Sequence, residues 1–276
     1  MSTSRLLHHH VVGPADALPL VLGPSLGTSK ALWEPQLPSL TRQFRVLRFD
    51  LPGHGGSSTA LLSHPEPGGT TVADLASLVL DLVDHHAWDR FHYAGISLGG
   101  AIGAHLAAYH PERVTSLALV CSSAHFGAAE PWHERAQTVR LKGTAPLVVT
   151  SPNRWFASTA FVNSPFGRRL IGNLADADPV GYAACCDALA SYDLRPVLAR
   201  ITAPTLVVGG SHDVATPVEH ALELTAGIPH ASLKVIGCGH LAVEQPRALR
   251  TALTAHLTAS HSADGKRLVP MPDRDA

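Results

Sequence analysis

The chain has 276 residues, of which 45% are hydrophobic and 16% are charged, and its formal net charge is −1. This length supplies one large domain or two small ones with ample apolar material for a core. No stretch approaches the roughly 18 consecutive apolar residues of a membrane span, and the near-neutral charge without basic clusters argues against nucleic acid as the partner. The start does not read as a signal peptide, and the four cysteines lack CxxC spacing. We therefore expect a soluble, cytoplasmic protein.

The 18 histidines raise the question of a metal site. They are scattered along the chain, and neither HExxH nor a His/Cys cluster occurs. His8 and His10 would share one face of a strand, which is a spacing that metal ligands can use. A polar strand face explains the same pattern more simply, so we expect no metal.

Short apolar runs alternate with helical patterns in the first part of the chain. Residues 19–23, 45–49, 91–96 and 114–120 read as buried strands. Residues 71–86 have apolar side chains at helical spacing, and residues 98–109 form a helix of small residues that can pack tightly on a sheet. Alternating strands and helices predict a mostly parallel central sheet with right-handed crossovers, flanked by helices.

The alternation stops between residues 122 and 200, where helical patterns follow one another. One helix begins at Asp178, an N-cap candidate before Pro179, and its Cys185 and Cys186 indicate helix packing rather than redox chemistry. Strands at 204–209 and 231–236, with a helix at 217–226 between them, then resume the sheet.

These patterns predict an α/β core with one insertion. Residues 1–121 and 201–260 form the core, residues 122–200 a helical cap, and residues 261–276 a flexible tail. We place the cap over the carboxyl edge of the sheet, where open parallel sheets bind their ligands.

Gly95, Ser97 and Gly99 form a G-x-S-x-G sequence between a predicted strand and a predicted helix. A nucleophile on so tight a turn has strained backbone angles, and the flanking glycines relieve clashes and let the serine oxygen project. The helix that starts here favours developing negative charge. A glycine-rich turn that happens to contain serine is the alternative, but the strand–motif–helix context favours a nucleophilic Ser97.

A hydroxyl nucleophile needs a base, and the base needs an acid that orients it. Asp213 follows the resumed strand at the carboxyl edge, and His240 lies in a loop after the last strand. His212 is a rival base, but it is adjacent to Asp213 and would flank the acid. We therefore predict a triad of Ser97, His240 and Asp213, although a turn or cap aspartate would also explain Asp213.

The oxyanion of such a reaction needs two backbone N–H groups aimed at one point. Leu98, immediately after the nucleophile, supplies one. The loop after strand 19–23 supplies the other, and Leu26 is the candidate because Pro24 has no N–H. His54, in a turn-rich loop at the same edge, is interpreted as a structural histidine rather than a catalytic one.

With these residues placed, the sequence resembles an α/β-hydrolase over nearly its whole length. The D-x-P-G-H-G-x-S loop at 50–57 and the segment 110–114 are shared widely in that superfamily and indicate the fold, not the substrate. A more specific resemblance is to 3-oxoadipate enol-lactonases. It is carried by Trp33, Gln36 and the segments 25–28, 132–135, 154–156, 181–189, 193–195 and 240–242.

That resemblance implies hydrolysis of 3-oxoadipate enol-lactone to 3-oxoadipate in aromatic-compound degradation, through an acyl-serine and without a cofactor. The lactone carries a carboxylate, so the pocket should present a cation or several donors. Arg135 and Arg154 are the candidates for this cation, and Trp132 and Trp155 are the neighbouring candidates for substrate binding. The alternative is that the arginines lie on the surface and the tryptophans only pack in the insertion.

Two other interpretations remain open. The triad could serve a small-acid esterase or a cofactor-free perhydrolase, and a hydrolase fold can also be used only to bind a small molecule or a partner. Such binding proteins often lose a triad member, whereas Ser97, Asp213 and His240 occur in the expected order. The sequence does not indicate the oligomeric state.

Overall fold

A computed structural model describes residues 6–263 of the chain. Within this range seven strands form one sheet in the order β1-β3-β2-β4-β5-β6-β7. The strands are β1 (His9–Val12), β2 (Leu18–Gly23), β3 (Phe44–Phe49), β4 (Phe91–Ile96), β5 (Val114–Val120), β6 (Thr205–Gly210) and β7 (Ala231–Ile236). Strand β1 pairs with β3 antiparallel, and all other neighbouring strands are parallel. The predicted mostly parallel sheet is confirmed.

Ten α-helices lie within the described range. They are α1 (Leu37–Leu40), α2 (Val72–His85), α3 (Leu98–Tyr109), α4 (Glu130–Lys142), α5 (Ala145–Trp155), α6 (Thr159–Val162), α7 (Pro165–Ala175), α8 (Pro179–Ala190), α9 (Val218–Gly227) and α10 (Pro246–Ala263). In the same range, 3-10 turns occupy Lys30–Gln36, Thr59–Leu61, Arg195–Arg200 and Ala242–Glu244. The expected tail overlaps α10 at residues 261–263, and its remainder, residues 264–276, lies outside the described residues.

Local sequence signals explain where the predicted helices begin. Thr71 and Asp74 form a reciprocal capping box at the start of α2, each side chain accepting the backbone N–H of the other residue. Asp178 caps α8 by accepting the N–H of Val180 at 2.8 Å, with Pro179 in the first helical position as predicted.

The centre of the sheet supports tight helix packing. All six residues of β4 are buried, and α3 packs against β4 and β5. A Cβ on Gly103 of α3 would lie only 2.4 Å from the Tyr93 ring, so the small residues of this helix permit its close approach. The helix therefore packs close against β4.

Helices α4–α8 fill the connection between β5 and β6. Arg140 of α4 pairs with Asp187 of α8, whose side chain is 1% exposed, and the two helices pack together. The start of α8 rests on the loop after β3, because Asp178 N–H donates to Gly53 O at 2.8 Å and a Cβ on Gly181 would lie 2.4 Å from Pro52 O. Backbone contact thus fixes this end of the insertion.

A buried carboxylate at the end of β3 joins the segments around it. Asp50 accepts the Lys30 N–H at 2.6 Å, the Lys30 ammonium at 2.8 Å and the Gly56 N–H at 3.1 Å, while His8 Nδ1 lies 2.8 Å from the same carboxylate. Burial alone raises the pKa of Asp50, but these hydrogen bonds outweigh it and hold the pKa below its ordinary value of 3.8. His8 therefore contributes to a carboxylate network of the fold.

We expect Asp50→Asn to lower the free energy of unfolding by about 3 kcal/mol, because the Lys30 ammonium loses its buried charge partner. Since folding depresses the pKa of Asp50, its stabilisation is present above the unfolded pKa and is lost as the pH falls through the folded pKa. Denaturant titrations at pH 7 and pH 3 measure both effects, and the difference between wild type and variant should shrink at the lower pH. The exposed Asp16→Asn change is the control. Equal midpoints for wild type and Asp50→Asn at pH 7 would contradict this account.

Candidate active site

Ser97 stands in a strained backbone conformation between β4 and α3. Its φ is 56° and its ψ is −117°, which an L-residue adopts at a cost of about 1–3 kcal/mol. The surrounding backbone holds it there: Ser97 N–H donates to Val120 O at 3.0 Å, and the Ser122 hydroxyl donates to Ser97 O at 2.8 Å. A Cβ on Gly95 would lie 2.2 Å from the Gly99 backbone, so glycine is required before the turn. This geometry suits a projecting nucleophile.

His240 and Asp213 are joined at the carboxyl edge of the sheet. Nδ1 of His240 lies 2.9 Å from Asp213 Oδ2, and both side chains are buried. The other carboxylate oxygen accepts the N–H groups of Ala215 at 2.8 Å and Thr216 at 2.9 Å, and the Thr216 hydroxyl donates to Oδ2 at 2.6 Å. A carboxylate held in this way can orient an imidazole and stabilise its protonated form.

The electrostatic surroundings keep Asp213 ionised. Burial is the largest influence and raises the pKa of Asp213, but the charge of His240 and the hydrogen bonds from His240 and Thr216 outweigh it, so the pKa lies below 3.8. The rival base His212 is exposed at the surface, whereas His240 lines the same pocket as Ser97. The geometry therefore favours His240 over His212 as the partner of the serine.

The two candidate oxyanion donors lie where the backbone leaves them free. Within residues 6–263, the N–H groups of Leu26 and Leu98 have no hydrogen-bond partner. Leu98 is the first residue of α3, where an N–H has no intrahelical acceptor. Leu26 lines the pocket beside Ser97. Both amides are therefore available for an anionic oxygen.

His54 supports the loop that carries Leu26. The Gly27 N–H donates to His54 Nε2 at 3.1 Å, so Nε2 carries the lone pair and Nδ1 donates to Pro52 O at 3.0 Å. Burial lowers the pKa of His54, which favours this neutral form. The histidine is thus a bridge between two loops, in agreement with its structural interpretation from the sequence.

A pocket of about 380 Å³, including its mouth, opens above Ser97. Of the predicted site residues, those that line it are Leu26, Ser97, Trp132, Arg135, Arg154, Trp155 and His240. Asp213 and Leu98 do not line this pocket: Asp213 contacts His240, and Leu98 is the first residue of α3, directly after Ser97. Sequence reasoning assigned no site role to the other lining residues, which are Ser25, Phe126, Tyr182, Leu189, Ala215 and Thr216.

Two arginines give the pocket its charge. The Arg135 guanidinium lies 5.2 Å above the Trp132 ring, and its charge acts on the Tyr182 hydroxyl. Burial, followed by repulsion from Arg135, lowers the pKa of Arg154. Among the described residues, Arg154 forms no hydrogen bond or ion pair. The pocket lining contains no aspartate or glutamate, and the attraction of Asp213 for Arg154 is weaker than the repulsion from Arg135, so this wall of the pocket is positively charged.

Over residues 6–263, no group of three or more His, Cys, Asp or Glu side chains is arranged to hold a metal ion. Within the same range, no helix combines the length and apolar character that crossing a membrane requires. The four cysteines are buried and no disulfide joins them, and Cys185 and Cys186 lie inside α8.

Residues 19–246 match a family described as alpha/beta hydrolase fold. The chain belongs to that family.

This hydrolase is 36% identical over 251 residues to 3-oxoadipate enol-lactonase 2 of Acinetobacter baylyi. The aligned region covers 90% of this chain and 92% of that protein. The crystal structure of the enol-lactonase from Burkholderia xenovorans LB400 is similar with a TM-score of 0.86 and 33% identity, over 91% of this chain and 96% of that one. The structure of a thermophilic esterase from Thermogutta terrifontis with malate bound is similar with a TM-score of 0.84 and 26% identity. The match covers 92% of this chain and 94% of that one. The predicted fold and the resemblance to enol-lactonases are confirmed.

We expect His54→Ala to lower kcat for p-nitrophenyl acetate about tenfold with little change in KM. The loop that carries Leu26 loses the hydrogen bond at Gly27, so the oxyanion donor is less well aimed. Steady-state kinetics beside the exposed His64→Ala control provides the measurement. Equal kcat values for the two variants would argue that His54 does not position this loop.

Proposed function

We propose that this hydrolase converts 3-oxoadipate enol-lactone to 3-oxoadipate through an acyl-serine intermediate, with Ser97, His240 and Asp213 as the catalytic triad. One observation carries the proposal: Arg135 and Arg154 line the same pocket as Ser97 and His240, and no acidic side chain lines it. A small acyl substrate that bears a carboxylate fits this combination. Similarity to enol-lactonases supports the choice of lactone.

The first half of the reaction opens the ring. The Ser97 oxygen attacks the lactone carbonyl while His240 takes the serine proton, and the N–H groups of Leu26 and Leu98 donate to the oxyanion. Collapse of the tetrahedral intermediate re-forms the carbonyl and breaks the bond to the ring oxygen, which leaves as an enolate. Transfer of the proton from His240 gives an enol, which becomes the ketone.

The second half releases the product. Water attacks the acyl-serine carbonyl while His240 again takes a proton, and collapse returns that proton to the Ser97 oxygen. Asp213 stays ionised throughout and holds His240 in the required tautomer, which agrees with the lowered pKa of its carboxyl. No metal or organic cofactor takes part in these steps.

The carboxylate of the substrate is assigned to the arginine wall. Arg154 has no partner among the described residues, so its donors are free, and Arg135 lies close enough to affect its pKa. Trp132 and Trp155 cover the apolar part of the substrate in this proposal. We also propose that residues 122–200 act as the cap and that the protein works in a reducing compartment such as the cytoplasm, which suits four free thiols.

The first test follows the loss of enol-lactone absorbance with the purified chain, its Ser97→Ala variant and a p-nitrophenyl acetate control. We expect rapid lactone turnover that far exceeds acetate hydrolysis, and a fall of at least about 1,000-fold in Ser97→Ala, because the nucleophile is lost. Ester hydrolysis that depends on Ser97, without lactone turnover, would leave the triad in place and reject the substrate.

A second test separates binding from chemistry. We expect Arg135→Ala and Arg154→Ala each to raise KM for the lactone by about tenfold or more while lowering kcat less, because each removes a charged donor that binds the carboxylate in ground and transition states alike. KM for p-nitrophenyl acetate, which has no carboxylate, should stay unchanged. Arg168→Ala, an exposed arginine of α7 outside the pocket lining, is the matched control. An unchanged lactone KM in either variant would remove that arginine from the assignment.

A small-acid esterase is the second candidate. The observation in its favour is the similarity to the Thermogutta terrifontis esterase whose structure has malate bound. The same triad and arginines would serve an ester of a carboxylic acid, and a perhydrolase would use peroxide in place of water. Comparison of kcat/KM for the enol-lactone and for monoesters of small dicarboxylic acids distinguishes these substrates, and a non-catalytic binding protein would turn over none of them.

A further inference from the structure

Glu244 is a buried carboxylate outside the predicted site. Its side chain accepts four hydrogen bonds, all from backbone N–H groups: two from Ala157 at 3.1 and 3.2 Å, one from Ser158 at 3.1 Å and one from Gly239. Only 7% of the residue is exposed, and among the described residues no lysine, arginine or histidine pairs with it. A buried charge with this donor set connects two distant stretches of backbone.

These two stretches carry different parts of the candidate site. Gly239 immediately precedes His240, while Ala157 and Ser158 follow the end of α5, which bears Arg154 and Trp155. The segments are separated by about 80 residues in sequence, and Glu244 is 87 residues from Ala157. One carboxylate thus binds both the loop of the candidate base and the segment next to the arginine wall.

Other contacts show how closely the two segments fit. Leu241 N–H donates to Trp155 O at 2.9 Å, on the far side of His240 from Gly239. A Cβ on Gly239 would lie 2.8 Å from Ala157 N and 2.9 Å from Trp155 O, so backbone packs on backbone. Both neighbours of His240 are therefore held against residues 155–157.

We propose that Glu244 is a positioning residue that fixes His240 and the Arg154–Trp155 end of α5 as one unit. This inference rests on the proposed triad and arginine wall. Since Glu244 does not line the pocket, it acts through the backbone on either side of the base. It follows that this end of the cap is a fixed wall of the site and not a moving lid.

The carboxylate form matters because every partner is a donor. Oε1 accepts from Gly239 and Ala157, and Oε2 accepts from Ala157 and Ser158. A glutamine would turn an NH₂ group toward one of these N–H donors, because it has a single acceptor oxygen. The Glu244→Gln change therefore keeps the size of the side chain but replaces one acceptor with a donor that repels the facing N–H groups, which weakens the link between the two segments.

The test uses Glu244→Gln and Glu244→Ala with two readouts. The first is the rate at which a fluorophosphonate labels Ser97, which needs the nucleophile and its base but not the lactone. We expect the Ser97 of both variants, at temperatures well below unfolding, to be labelled about 100-fold more slowly than that of the wild type. A displacement of the catalytic base by about 1 Å has an effect of this size. The second is lactone kinetics, in which KM should rise together with the fall in kcat because Arg154 and Trp155 shift as well. The exposed Glu219→Gln change on α9 should behave as wild type in both.

Chemical rescue distinguishes a missing carboxylate from general damage to the fold. Formate should raise the labelling rate of Glu244→Ala at least about tenfold, because it can occupy the vacated space and accept the same N–H groups, and it should not accelerate the wild type. Labelling of folded Glu244→Gln at the wild-type rate would overturn the proposal. So would a slow, folded Glu244→Ala that formate does not rescue. If the wild type labels well but does not turn over the lactone, the proposed substrate fails while the role of Glu244 is still decided by labelling.

Discussion

The strained backbone of Ser97 is the constraint on which the rest of the site depends. A residue at φ 56° persists only where its neighbours hold it, and here β4, β5 and α3 do so from three sides. The turn is tight enough that α3 begins against β2, since a Cβ on Gly99 would lie 2.4 Å from Gly23 O. The loop after β2 then starts beside the first turn of α3. One packing requirement therefore brings together a projecting hydroxyl and the two amides of the candidate oxyanion hole.

Buried carboxylates with backbone N–H partners then arrange the surrounding segments. Asp50 joins the segments of Lys30 and Gly56, Asp213 fixes the turn before α9, and Glu244 joins the histidine loop to the end of α5. Peptide N–H groups satisfy an anion without the conformational freedom of a lysine or arginine side chain, so these links are rigid.

Features encoded in neighbouring residues were predictable from the sequence. The strands at 91–96 and 114–120 and the helix at 98–109 agree with the structure to the residue, because apolar runs and a glycine-bounded turn mark them. Helix α8 began where Asp178 and Pro179 predicted it. The order of Ser97, Asp213 and His240 likewise sufficed to bring these three residues forward as a candidate triad, and the structure places His240 against Asp213.

Features that depend on distant pairs were not predictable in the same way. The sequence around Glu244 does not indicate that its side chain accepts a hydrogen bond from a residue 87 positions away. The contact between His8 and Asp50, which are 42 residues apart, is equally hidden in the sequence. The same holds for Tyr182, whose helix position is clear from sequence but whose exposure to the pocket depends on how α8 sits on the loop at Gly53. Short helices such as α6 also escape a periodicity analysis, since four residues span barely one turn.

The arginine wall has a consequence for how a substrate arrives. The chain as a whole is nearly neutral, with a formal net charge of −1, so its long-range field does little to attract an anion. Inside the pocket, Arg135 and Arg154 concentrate positive potential, which the nearby charge of Asp213 offsets only in part. At physiological ionic strength this potential extends about 8 Å, roughly the depth of a small cleft. In the proposed function, this potential favours capture of an anionic ester over a neutral one, and added salt weakens the attraction.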